Sequence, residues 1–525
     1  MTPTRTRGRT VLAWLPLLTA VGLGCSDMSM KSGDSGWAGA EGEGEGEADQ
    51  GGGTADTGDT YEPEVEDAYT ALLPATTNAH VFIANPDRGT VTRVTAADLS
   101  VITTEVGVDP YVVRATSDNA AAVVFNRGTD DVSIVDAETL EVDRVELRPD
   151  FNQLLLSPDG LWAAAFHDAQ RRTSDDLSDD TWSFNEVSLV EVQNRRHIPM
   201  VVGFNPRDLK FTQDSRRMVV VSDAYLAVVD LSEENPEPIR IPIAEDTVEP
   251  PVAEEVILTP DGSYAIVRQF GAESLVVVDL KTHDVGWVDV GDNPTDLDVT
   301  PDGTQAVAVA RESNELWLYN LTDIYATPEV VALPEGEVLG SIVMSPDDSK
   351  ALLFSTATGK SRYASWNRST GDMDVHATVK PISGISLSPD GATGVLVHDI
   401  DNGDTDSESV FYNEYALTLV DLSDYFANPI RLPAEPTEFA QTSDGDLGFV
   451  IMEAEASLLQ LNYRTLIHDQ VELKSTAVHM GVMPESRLVY ASQEHDLGRI
   501  SFYDPDAREL QTITGFELNS GIETH

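Results

Sequence analysis

From about residue 78 onward the 525-residue chain repeats a unit with a period of about 44 residues, and self-similarity at that spacing constrains the fold more than any local propensity does. The clearest copy runs from Ser274 to Gly303, and a further extended run follows it. A β-branched run Ser274-Leu275-Val276-Val277-Val278-Asp279 is followed by the turn Thr282-His283-Asp284 and a second extended run from Val285 to Val290. After Gly291-Asp292-Asn293-Pro294 come a third run, Asp296 to Val299, the turn Thr300-Pro301-Asp302-Gly303, and a fourth run from Gln305 to Ala310. The turn has a physical reason: Pro presets φ, Asp bonds the backbone two residues on, and Gly accepts positive φ.

Four short strands per unit, with one such turn in each, are what a β-propeller blade requires, each small sheet burying its faces on its neighbours. The turn recurs around Asp159, Asp261, Asp302, Asp347 and Asp390, and in altered form around Asp118, Asp214, Asp444 and Glu485. A further unit opens at His80-Val81-Phe82-Ile83-Ala84-Asn85 without an innermost strand of its own. The stretch Glu517 to Thr524 resembles the run that precedes each turn, so the last strand of the chain is expected to complete the first blade and close the ring. The expected fold is all-β, a single propeller of about ten four-stranded blades over 78–525; two smaller propellers, or a ring of seven or eight blades, are the alternatives. The motifs Val277-Val278-Asp279, Gly291-Asp292-Asn293-Pro294 and Thr300-Pro301-Asp302-Gly303 resemble the YVTN-type repeat of lactonase-like and surface-layer propellers, a resemblance that speaks to fold and hardly to function.

Residues 1–25 read as an export signal, with Arg5, Arg7 and Arg9 ahead of an apolar core from Val11 to Gly24 that is short for a membrane span. The run Val21-Gly22-Leu23-Gly24-Cys25 resembles a bacterial lipobox, which implies lipidation at Cys25, the single cysteine of the chain. Gly22 stands where that pattern usually has Leu, and Ser26 leans toward the outer membrane. Secretion or a periplasmic location without the lipid is the alternative. Residues 26–77, with Glu41-Gly42-Glu43-Gly44-Glu45-Gly46-Glu47 and Gly51-Gly52-Gly53, lack the apolar content for a core and read as a disordered tether.

With 33 Lys and Arg against 90 Asp and Glu, the formal charge is −57, which disfavours nucleic acid and anionic surfaces as partners. Two units five apart carry long acidic insertions, after His167-Asp168 and His398-Asp399, and resume at Phe184-Asn185-Glu186 and Tyr412-Asn413-Glu414. The second insertion places Asp399, Asp401, Asp404, Asp406 and Glu408 at near-alternate positions around Gly403, as oxygen ligands for Ca2+ would be, though without the twelfth-position Glu of an EF-hand. The first, Thr173 to Asp180, pairs carboxylates without the Gly. His167, Asp168, His398 and Asp399 form a candidate site at the channel mouth, and His495-Asp496 repeats the dipeptide. Capping of strand ends is the plainer role for these histidines, as turn formation is for Asp159, Asp261, Asp302 and Asp390. The sequence carries no Cys-x-x-Cys-His, no His-Glu-x-x-His and no Gly-x-Ser-x-Gly.

These features favour a membrane-attached, non-catalytic binding or adhesion scaffold with a protein or glycan partner. A lactonase-like hydrolase and a structural envelope component are the alternatives.

Overall fold

A computed structural model describes residues 75–77, 79–167, 185–244, 253–269, 271–483, 486–515 and 523–524. The signal, Cys25, the tether up to residue 74, Asp168 and the first acidic insertion lie outside the described residues. Among the described residues the chain forms ten antiparallel sheets. In sequence order they are blades 1 (75–105), 2 (110–146), 3 (153–201), 4 (206–242), 5 (253–289), 6 (294–332), 7 (341–377), 8 (384–432), 9 (436–472) and 10 (477–514). Strands follow one another in simple up-and-down order, and first strands of successive blades are neighbours, which places them around the central channel.

Burial follows that geometry. Second and third strands are covered on both faces, so Leu275 to Val278 and Met218 to Val221 are fully buried runs rather than alternating ones. Fourth strands form the rim; Ile467–Glu472 is almost wholly exposed. Ten apolar clusters fill the ring, and each one joins a single pair of adjacent blades. The last pair is blade 10 with blade 1, where Tyr490, Ile500, Phe502 and Ile513 pack on Val81, Ile83, Val94 and Val101. The molecule is therefore one closed ring of ten blades, and not two smaller rings.

The turns work as their residues dictate. Thr300 Oγ1 donates to Asp302 Oδ1 (2.7 Å), the same oxygen accepts from Thr304 N (3.0 Å), and Gly303 sits at φ +69°. Asn119, Ser215 and Asp348 take the same left-handed conformation where Gly is replaced, which is why those altered copies still turn.

Closure differs from the sequence expectation. Ala75–Thr76 supplies the inner strand of blade 1, pairing Ala75 with Phe82 and Thr76 with Val81. Glu523–Thr524 instead pairs with Ile513 and Thr514, as a fifth strand on the outer edge of blade 10. A shortened turn explains the choice: Thr77 N donates to His80 O (2.8 Å) and His80 N to Thr77 Oγ1 (2.9 Å). A local hairpin closes a far smaller loop than pairing the two ends of the chain would. Among the described residues the ring thus begins at Ala75, inside the stretch read as tether.

Candidate functional site

Up-and-down strands place the turns joining first to second and third to fourth strands on one face. Loops joining second to third strands, and blade to blade, lie on the other. The second acidic insertion belongs to this second face, and its base is built from buried polar groups.

His398 ends the second strand of blade 8 and is completely buried. Its Nδ1 lies 2.9 Å from Pro381 O, so Nδ1 carries the proton; Nε2, 2.8 Å from Thr418 Oγ1, accepts. Burial pulls its pKa down to about 4, with the neighbouring Lys380 acting in the same direction, so the imidazole is neutral at pH 7. His167 is buried at the corresponding place in blade 3 and donates from Nδ1 to Asp150 O (3.0 Å), again a carbonyl 17 residues earlier. The two histidines are embedded in walls five blades apart, and the structure does not bring them to one point. Leu497 N donates to His495 Nδ1 (3.1 Å) in the matching loop of blade 10.

Lys380, on the connection from blade 7 to blade 8, is also fully buried. Its ammonium donates to Ile400 O (3.0 Å) at the entry of the acidic loop and to Glu414 O (2.7 Å) at its exit. Burial lowers its pKa, while Asp399, Asp401 and Glu414 oppose the shift. Above this anchor the loop ties itself together and to blade 7. Asn402 Nδ2 donates to Asn413 Oδ1 (2.6 Å), and Asn413 N to Asn402 Oδ1 (2.7 Å). Asp404 Oδ1 accepts from Ser361 N (2.9 Å) and Ser361 Oγ (2.5 Å).

The five carboxylates proposed as ligands are thus distributed along the loop. Asp399 receives the Ile400 amide, Asp406 caps Glu408 N (3.0 Å), Asp404 holds blade 7, and Asp401 and Glu408 are exposed. Beside its exposed carboxylates the loop also presents apolar side chains: Ile400, Val410 and Tyr412 are 44%, 70% and 37% exposed.

Among the described residues, three carboxylates come within 4.8 Å of one another elsewhere, on the first strands of blades 5 and 6: Glu255, Asp296 and Asp298. They could hold a hard cation. Arg268, buried beside them, bonds Glu255 (3.1 Å), Glu254, and Pro294 O (3.2 Å). Burial works against its charge, but the carboxylates of Glu255, Glu254 and Asp296 outweigh that and raise its pKa. Asp296 also reaches the next blade, accepting from Ile342 N (2.7 Å), as Glu438 does from Met480 N (2.7 Å). Sequence reasoning missed this wall. Its signal is a Pro-x-acid run opening the first strand, Pro206-Arg207-Asp208, Pro294-Thr295-Asp296 and Pro436-Thr437-Glu438, each with a register shift between the first and third residue.

No protein-family model matches the chain, and no curated protein matches it. Among solved structures it aligns with the dihydro-heme d1 dehydrogenase NirN in complex with DHE at 14% identity, over 78% of this chain and 74% of that one, with a TM-score of 0.45. It aligns with Kuenenia stuttgartiensis hydrazine synthase at 17% identity over 62% and 99% of the two chains, with a TM-score of 0.32. A eukaryotic initiation factor aligns at 10% identity over 76% and 97%, with a TM-score of 0.49. Likeness at this level carries nothing about activity, and the fold rests on the sheet order of the chain itself.

Proposed function

We propose that the chain is a non-catalytic binding scaffold of the bacterial cell envelope, held by lipid at Cys25 and engaging a protein or glycan through the loop-bearing face. The observation that carries this reading is the blade 8 loop: an anchored base under exposed Ile400, Val410 and Tyr412. A surface fixed before contact loses little entropy on binding, and apolar side chains on a rigid base are what contact energy is drawn from. The charge of −57 narrows the partner to a neutral or basic surface. A non-catalytic role is further supported by His398, whose two ring nitrogens are both engaged in the wall.

Pull-down from envelope extract with the full chain, beside Val410→Ser and Tyr412→Ser, tests the reading. The expected result is a partner retained by the wild type and lost by both variants; identical captures would remove the loop from the argument. Labelling with a radioactive fatty acid, present in the wild type and absent in Cys25→Ser, tests the anchor. Among the described residues no helix is long and apolar enough to cross a membrane.

A second reading, Ca2+ binding, is favoured by the grouping of Glu255, Asp296 and Asp298. Under it, Ca2+ raises the melting temperature and a chelator lowers it, and Asp298→Asn abolishes both effects. A melting temperature indifferent to Ca2+ and chelator would end that reading.

A further inference from the structure

The repeat allows one junction between blades to be compared with another. The turn from first to second strand ends on a residue whose carbonyl accepts from the amide that opens the turn, as Lys350 O does from Ser345 N and Ala121 O from Thr116 N. In five consecutive blades that residue reaches the next blade. Arg217 Nη1 lies 3.4 Å from Gly262 O, Tyr264 meets the edge of Tyr325 at 6.5 Å, Gln305 accepts from Arg368, Lys350 donates its ammonium to Leu422 O, and Thr393 Oγ1 donates to Tyr463 O (3.3 Å).

In blade 2 the same position holds Ala121, the smallest side chain found there in blades 2 to 10. Between blades 2 and 3 the structure has a cleft of about 230 Å3, lined by Ala121 and by Val192. Val192 is the blade 3 counterpart of Leu422: each follows the third strand and donates its amide to the residue preceding the second strand, Leu161 O and Ala392 O, both at 2.9 Å. The cleft therefore occupies the place that the Lys350 side chain fills between blades 7 and 8.

Its carboxylates outnumber the one cation that lines it. Asp118, Asp136, Glu141 and Asp143 line it against one guanidinium, Arg195. Arg195 Nε bonds Asp143 (2.8 Å), and Nη1 bonds Gln193 O and reaches Val192 O (3.4 Å). Asp118 and Asp136 are oriented by their own turns, accepting from Ala120 N (3.0 Å) and Thr139 N (2.7 Å). The volume lies below the range of about 300–1,000 Å3 typical of drug-sized ligands, which restricts the occupant to a small group.

We propose that the cleft between blades 2 and 3 binds an alkylammonium group on an unbranched chain, which takes the place that the Lys350 side chain fills between blades 7 and 8 and is held by the cleft's carboxylates, since Arg195 already occupies the Val192 carbonyl. The group can come from a free aliphatic amine or from a lysine side chain of a polypeptide.

Calorimetric titration of the full chain tests this with n-butylammonium chloride and with the peptide Gly-Gly-Lys-Gly-Gly, using choline chloride as a cation without N–H donors. Saturable heat is expected with n-butylammonium, the peptide or both, and none with choline. Heat from the amine alone identifies a free amine as the ligand, and heat from the peptide alone identifies a lysine side chain. Ala121→Lys, which supplies its own ammonium, and Ala121→Met, which fills the space without charge, are expected to lose the heat while melting no lower than the wild type. Silence toward both amine and peptide, equal binding of choline, or undiminished binding by a folded Ala121 variant would each overturn the proposal.

Discussion

A buried imidazole is a liability in acid, and His398 shows why. Its folded pKa of about 4 lies below the ordinary imidazole value of about 6.5, so the unfolded chain binds the proton more readily than the native one. The stability tied to a neutral His398 is complete above about pH 6.5 and is lost as pH falls toward 4, a span equivalent to at most about 3 kcal/mol. His398→Asn, which can keep a donor toward Pro381 O, is expected to flatten the fall in melting temperature between pH 6.5 and 4; an unchanged slope would show that other groups govern it. The turn aspartates act lower still. Bonds from the Thr300 hydroxyl and the Thr304 amide hold Asp302 below the usual carboxylate range, so its contribution persists above the ordinary carboxylate pKa and disappears only as pH falls through its depressed folded value. Lys380 is the other residue on which the loop face depends. Lys380→Met leaves the carbonyls of Ile400 and Glu414 without their donor, at a cost of up to about 1–3 kcal/mol for each group that water does not reach. Hydrogen exchange over 400–414 is expected to quicken in that variant well before the rest of the ring responds.

At the scale of strands and loops, what could be read from the sequence was whatever is encoded locally. The Thr-Pro-Asp-Gly turn specifies its own hydrogen bonds, so one strong copy made the weaker ones at Asp118, Asp214 and Asp444 recognisable. The inner strand of blade 1 escaped because it is two residues long and its turn is two residues shorter than the others, while 517–524 matched the pattern better by composition. The acidic loop was visible, but its wiring was not: Asp404 serves Ser361 of another blade, and Lys380 lies far outside the loop in sequence. Carboxylates assembled from two blades, as at Glu255 and Asp296, leave no contiguous motif. The strand assignment makes a direct prediction. Deleting 75–77 should expose the amides of His80 and Phe82, which face that strand, to exchange and lower the melting temperature, whereas deleting 516–525 should leave them protected. The reverse pattern would restore closure by the last strand.

For the molecule as a whole, the junction of blades 10 and 1 decides whether a row of sheets becomes a ring. Phe502, 2% exposed, packs there with Val81 and Ile83, and Phe502→Ala is expected to cost about 3–5 kcal/mol. Equilibrium denaturation measures that loss, and a value below about 1 kcal/mol would mean that the junction contributes little. Because, among the described residues, neither Ala75–Thr76 nor Glu523–Thr524 joins the sheet on the far side of the junction, neither segment bridges blades 10 and 1 to hold the circle shut. Thr514 and Ala75 stand to each other as Glu105 and Pro110 do, an outer-to-inner step that four residues make. A circular permutant with these ends joined by a comparably short linker, and opened instead between blades 5 and 6, should fold and melt like the original.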